Sequence, residues 1–127
     1  MLKRLDNMGI AVRDLGRALE FYKDKLGLRV QYASERDFFA TLGDVGFYVF
    51  RTEGKEGAPA RSEDLYRNPP GYDHISFEVE DVDGSYEELR RRGVEFLYGP
   101  RTVAEWGLRL ACFRDPDGNI LYIIKRV

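Results

Sequence analysis

The chain has 127 residues, enough for one domain with a real core, and its 43% hydrophobic and 33% charged residues are those of a folded globular protein. A formal net charge of −2 offers nucleic acid nothing to hold, and the single cysteine excludes both an internal disulfide and a multi-cysteine zinc site. No apolar run approaches the roughly 18 residues of a membrane span, and Met1-Leu2-Lys3-Arg4-Leu5 is too polar for a signal peptide, so the expectation is a cytoplasmic protein with no nucleic-acid or membrane partner.

In chain order, alternating apolar residues predict a first strand over Leu5 to Val12. Asp14 is an N-cap for a helix whose apolar stripe is Leu15, Ala18, Leu19, Tyr22 and Leu26, and Gly27 stops it. Strands follow at Leu28 to Tyr32, Phe38 to Leu42 and Phe47 to Phe50, the last two joined by a hairpin over Gly43 to Gly46. From Thr52 to Gly71 the glycines and prolines, among them Gly54, Gly57, Pro59, Pro69 and Pro70, break all periodicity and mark a linker, with a turn of helix expected at Ser62 to Tyr66.

The second half repeats the first. A strand over Asp73 to Val79 leads to the cap Asp81 and to a helix with Val82, Tyr86 and Leu89 on its apolar side, ended by Gly93. The Arg90-Arg91-Arg92 run is a solvated helix end, where positive charge suits the helix dipole. Strands are predicted over Val94 to Tyr98 and Leu108 to Arg114, the latter holding Cys112 as a small buried residue. Asp115-Pro116-Asp117-Gly118-Asn119 is a tight turn, and Ile120 to Ile124 is the last strand. Asp6-Asn7 and Asp14 of the first copy stand where the second has Asp73-His74 and Asp81. Phe47-Tyr48-Val49 corresponds to Leu121-Tyr122-Ile123.

Strand alternation then sorts the side chains. Met8, Ile10 and Val12 must face the first helix, so Asn7, Gly9 and Ala11 face away from it. In the second half His74, Ser76 and Glu78 face away, as do Tyr48 and Tyr122 in their strands. Small residues beside polar and aromatic ones suit the floor of a pocket better than bulk solvent, and a symmetric pairing of the halves would bring Asn7, Tyr48, His74 and Tyr122 together. Phe39, Thr41 and Arg109 are expected on the same inner surface, and Trp106 in a long loop over Pro100 to Gly107.

The duplicated β-α-β-β-β pattern, the opening Asp6 to Leu15, the segment Phe21-Tyr22-Lys23-Asp24-Lys25-Leu26-Gly27-Leu28 and the closing Asp115 to Asn119 resemble the vicinal oxygen chelate superfamily, which contains glyoxalase I, bleomycin resistance proteins and extradiol dioxygenases. The resemblance implies an α+β fold: two tandem βαβββ modules, 1–51 and 72–127 joined by a linker over 52–71, forming a cupped mixed sheet with helices on its outer face within a single domain. It also implies a homodimer. Family enzymes carry metal ligands at the first and last strands of each module, which here are Asn7, Tyr48, His74 and Tyr122. One imidazole, one amide and two phenols make a poor divalent-metal site, so a metal is disfavoured and no cofactor is expected.

Two readings follow. The first is a metal-independent small-molecule-binding protein of the glyoxalase/bleomycin-resistance type, with Asn7, Tyr48, His74, Tyr122, Trp106, Phe39 and Arg109 holding a ligand in an aromatic-lined cup, and the Trp106 indole as a lid or as a loop anchor. The second is an enzyme: a metal-dependent lyase, isomerase or dioxygenase with an unusual ligand set, or a metal-free variant in which His74 or Glu78 is the general base.

Overall fold

In the computed structural model the described residues are 1–57 and 60–127, so the linker breaker Pro59 lies outside them. The chain forms two compact units, Met1–Gly57 and Ala58–Val127. Each is a four-stranded mixed sheet with one principal helix.

The first unit runs β1 (Asn7–Val12), α1 (Leu15–Leu19), β2 (Arg29–Ala33), β3 (Asp37–Leu42) and β4 (Val45–Arg51). The sheet order is β1-β4-β3-β2, with β1 parallel to β4 and the other neighbours antiparallel. Asp14 caps α1 by accepting the Arg17 backbone N–H at 3.0 Å. Beyond Leu19 the helix departs from the expected α geometry and widens into a π segment over Glu20–Lys25. Within it Phe21 and Tyr22 are both buried, edge-to-face with centroids 5.1 Å apart. The hairpin is tighter than expected: Leu42 pairs with Val45, so Gly43 and Asp44 alone make the turn.

The second unit runs β5 (His74–Glu78), α2 (Val82–Arg91), β6 (Phe96–Val103), β7 (Leu108–Arg114) and β8 (Ile120–Arg126), in the order β5-β8-β7-β6. Asp81 caps α2 through the Gly84 N–H at 3.1 Å, as Asp14 caps α1. β6 is longer than predicted and absorbs most of the expected loop. The strand shifts register around Tyr98, and Pro100 is tolerated because β6 is an edge strand that need not donate on both sides. What remains of the loop is one 3₁₀ turn, Ala104–Trp106. The expected turn of helix in the linker is another 3₁₀ turn, Leu65–Arg67. This part of the linker is fastened to the second unit: the Arg114 guanidinium donates to the Arg61 carbonyl at 2.8 Å, and the Asn68 amide donates to Asp73 at 2.7 Å. No helix among the described residues is long and apolar enough to cross a membrane.

Each helix covers one face of its sheet. Ala18, Phe21 and Tyr22 are buried with Val12, Phe38, Ala40, Phe47 and Val49 in the first unit. Val82 and Leu89 are buried with Ala111, Phe113, Leu121 and Ile123 in the second, where Tyr86, Phe96 and Phe113 form a chain of ring contacts. Both helices stop at a glycine in the left-handed region, Gly27 at φ 81° and Gly93 at φ 88°. Replacing either by Ala is expected to lower stability by roughly 1 kcal/mol or more, read as a lower urea midpoint; an unchanged midpoint would show that the helix ends do not need that conformation.

Candidate functional site

The face of each sheet that its helix leaves uncovered carries the residues singled out from the sequence. In the first unit, register places Gly9 beside Tyr48, and Tyr48 beside Phe39, so Asn7, Gly9, Phe39 and Tyr48 share one face. Phe39 stacks on Tyr32 with centroids 6.3 Å apart and closes over Gly46, where a β-carbon would collide with its ring. Tyr48 stacks with Phe50 at 5.5 Å. Its hydroxyl donates to the Asp37 carboxylate at 2.7 Å, and that bond, with some burial, raises the pKa of the phenol. Asp37 is held in turn by the Ser34 hydroxyl at 2.7 Å, and the Ser34 and Tyr48 bonds lower its pKa. Asn7 is exposed and donates its amide to Asp6 at 2.8 Å, while Arg4 pairs with the other oxygen of Asp6 at 3.0 Å.

In the second unit β5 exposes His74, Ser76 and Glu78 and turns Ile75 and Phe77 inward. His74 lies edge-on to Tyr122, with centroids 4.6 Å apart and planes at 90°. Its Nδ1 meets the Asp73 carboxylate at 2.7 Å. Burial pushes the Asp73 carboxyl up, but the His74 and Asn68 hydrogen bonds and the His74 and Arg61 charges outweigh it, and the net shift is downward. Tyr122 is buried together with Leu110, Cys112 and Ile120, and Tyr98 and Trp106 pack against that cluster. Trp106 also faces Tyr66 across 6.4 Å. The Arg101 guanidinium lies over the Tyr98 ring, 3.3 Å from its centroid.

Two placements differ from the sequence reading. Tyr122 is only 3% exposed, so it does not line an open floor: it belongs to an apolar cluster against which Tyr98, Val103, Trp106, Leu108 and Ile124 pack. Arg109 does not reach this face. It alternates with Leu108 and Leu110, and its guanidinium forks onto Asp83 of α2 with both bonds at 2.7 Å, adding Thr102 at 3.1 Å. The helix-side position of Arg109 follows from strand parity, with Ala111 and Phe113 as its same-face neighbours.

The Tyr122 hydroxyl is buried with no hydrogen-bond partner; the Tyr98 hydroxyl and the Cys112 thiol are its polar neighbours, but neither meets bonding geometry. Burial raises its pKa above that of a free phenol. Burial likewise pushes the Cys112 thiol up to about 11, which makes it an inert thiol at neutral pH. Sequence reasoning missed Tyr98, Tyr66, Asp37 and Asp73. The signal for Asp73 was present, since an Asp precedes the marked residue in both copies, Asp6-Asn7 and Asp73-His74.

As a metal site this donor set does not fit. Both tyrosines hold their protons more firmly than free phenols, Asn7 offers a neutral amide, and among the described residues no group of three His, Cys, Asp or Glu side chains gathers. An open cleft of about 580 Å³ lies elsewhere in the first unit, on the helix side near Arg13, Asp14, Leu19, Ser34, Glu35 and Arg51. Its charges are mixed, and none of the sequence-predicted site residues lines it.

An unpartnered buried hydroxyl is a net cost to the fold. Tyr122→Phe is therefore expected to leave stability unchanged or raise it by up to about 1 kcal/mol, measured by urea unfolding; a loss of that size would show that the hydroxyl is satisfied in solution. Cys112 is expected to resist iodoacetamide at pH 8 in the native protein and to react once guanidinium unfolds it, and rapid native labelling would contradict its burial.

With the geometry in hand, comparisons place the chain. The model of the Glyoxalase/Bleomycin resistance protein/Dioxygenase superfamily matches residues 4–123. The uncharacterized protein YraH of Bacillus subtilis (strain 168) is 31% identical over 125 residues, covering 96% of this chain and 98% of its own. Lactoylglutathione lyase of Haemophilus influenzae is 29% identical over 122 residues, covering 91% and 87%. The crystal structure of SMU.1112c superposes with a TM-score of 0.81 at 27% identity, covering 98% of this chain and 100% of that one.

Proposed function

The chain belongs to the Glyoxalase/Bleomycin resistance protein/Dioxygenase superfamily, and from that premise we propose that it is a small-molecule-binding protein that works without a metal. One observation carries the reading: the Tyr122 hydroxyl, buried and unpartnered in a cluster against which Tyr98 and Trp106 pack. A fold tolerates such a group where function needs it. Here a ligand that enters the cluster would find a polar handle among aromatic side chains, with the His74 ring against the same phenol. On the first unit, Tyr48, Phe39 and Tyr32 supply a second aromatic surface with a fixed polar tip. The reading includes a homodimer, supported by the edge strands that both sheets leave.

The similarity to lactoylglutathione lyase favours a second reading, an enzyme in which His74 or Glu78, both exposed on one face of β5, is the general base. The donor set weighs against a metal-dependent form of that reading.

The chain has one tryptophan, so its fluorescence reports on Trp106 alone. Screening a small-molecule set against chelator-treated protein is expected to give saturable quenching or a spectral shift that Tyr122→Phe weakens. Binding that disappears on chelation and returns with added metal would move the assignment to the enzyme reading. A screen in which no aromatic compound moves the Trp106 signal would overturn the binding reading.

A further inference from the structure

Register lays the uncovered face of the second sheet out in rows. Ser76 of β5, Tyr122 of β8, Cys112 of β7 and Tyr98 of β6 make one row, and Glu78, Ile124, Leu110 and Arg101 make the next. Arg101 belongs to that face only because β6 shifts register between Tyr98 and Arg101. In a regular strand two side chains three residues apart point to opposite faces. The bulge at Gly99-Pro100 brings Arg101 back to the side of Tyr98, and β-bulges re-aim side chains in this way. The guanidinium then lies on the Tyr98 ring, 3.3 Å from its centroid, and Tyr98 packs against the cluster that holds Tyr122.

Arg101 is exposed, and among the described residues no carboxylate pairs with it, whereas Arg109 of β7 has Asp83 and Arg61 has Asp73. Glu78 ends the same row at the opposite edge of the sheet, three strand spacings or about 14 Å away. Asp73 is occupied by Asn68, His74 and Arg61. Burial dominates the shift of the Cys112 thiol, and of the charges acting on it Glu63 is opposed by Arg114 and Arg101. Stacking on a phenol leaves the N–H donors in the guanidinium plane open to a further partner. The Ser76 hydroxyl, exposed on β5, and the buried Tyr122 hydroxyl can also donate. Trp106 packs against the same cluster and Tyr66 faces it across 6.4 Å, so the cation stands beside aromatic surface.

We propose that this face takes an aromatic carboxylate, its ring against Tyr98 and Trp106 and its carboxylate in the fork of Arg101, and that Arg101 sets the preference for an anion. The inference rests on the ligand-binding reading and names the ligand class for it. A guanidinium and a carboxylate match in geometry and in charge, through two parallel N–H···O bonds and one charge on each side. A phosphate, with up to two negative charges, would leave charge uncompensated beside an apolar cluster. A neutral aromatic compound gains the ring contacts without the charge-assisted pair.

Phenylacetate and phenylacetamide are the probes, alike in ring and linker and different in charge, with binding followed by Trp106 fluorescence. The carboxylate is expected to bind wild-type protein about tenfold tighter. Arg101→Gln is expected to bring the two affinities together and Arg101→Lys to restore part of the difference. Arg90→Gln, which removes the same charge from the exposed side of α2, is expected to leave it unchanged. Arg101 is exposed on an edge strand, so its variants are expected to fold, which urea unfolding checks, and the wild-type comparison needs no variant. Equal affinities in wild type, a preference that survives Arg101→Gln, or one that Arg90→Gln also abolishes would overturn the proposal and leave the binding reading in place. So would a screen whose aromatic hits shift Trp106 while phenylacetate does not. If no aromatic compound shifts Trp106, the binding reading falls and the proposal falls with it.

Discussion

The constraint on which the rest depends is that each sheet has one helix and two faces. A four-stranded sheet can bury only one face against a single helix, and strand alternation then sends every second residue to the face that the helix does not cover. In the first unit Ile10, Val12, Phe47 and Val49 go to the helix, and Asn7, Gly9 and Tyr48 to the other side. In the second, Phe113, Leu121 and Ile123 go to the helix, and His74, Cys112 and Tyr122 to the other side. The polar and aromatic groups of interest are thus placed by parity.

The two uncovered faces are not equivalent, and a single exchange accounts for much of the difference. Tyr48 pairs in register with Phe39, and two residues earlier on β3 stands Asp37, which takes its hydroxyl bond. Tyr122 pairs with Cys112, and two residues earlier on β7 stands Leu110. The first tyrosine has a carboxylate within reach and stays half-exposed. The second has an apolar neighbour, is drawn into an apolar cluster, and keeps an unsatisfied hydroxyl. The two faces thus differ: one tyrosine hydroxyl is tied to a carboxylate, and the other is buried in an apolar cluster.

Much of this was legible in the sequence. The duplicated strand–cap–helix pattern predicted both units, both N-caps and both glycine stops, because those depend on local periodicity and single-residue chemistry. The superfamily resemblance followed from the same motifs. Four features were missed. The π segment over Glu20–Lys25 was hidden because Leu15, Ala18, Leu19, Tyr22 and Leu26 keep the spacing of an ordinary α-helix. The length of β6 was hidden because Gly99-Pro100 reads as a breaker, yet an edge strand accommodates it. Arg109 was expected on the inner face, but strand parity puts it with Ala111 and Phe113, where it pairs with Asp83. The burial of Tyr122 required knowing that Tyr98 and Trp106 pack against its cluster, which no spacing in the chain announces.

The central claim is that these side chains hold a ligand by aromatic contact and directed hydrogen bonds, without a resident metal. It is tested most directly by elemental analysis of protein purified without a metal-affinity tag, before and after incubation with Fe²⁺, Zn²⁺, Mn²⁺ and Ni²⁺ and desalting. The account predicts far less than one metal per chain in every preparation. Near-stoichiometric metal that is lost in His74→Ala would contradict it and make His74 a ligand.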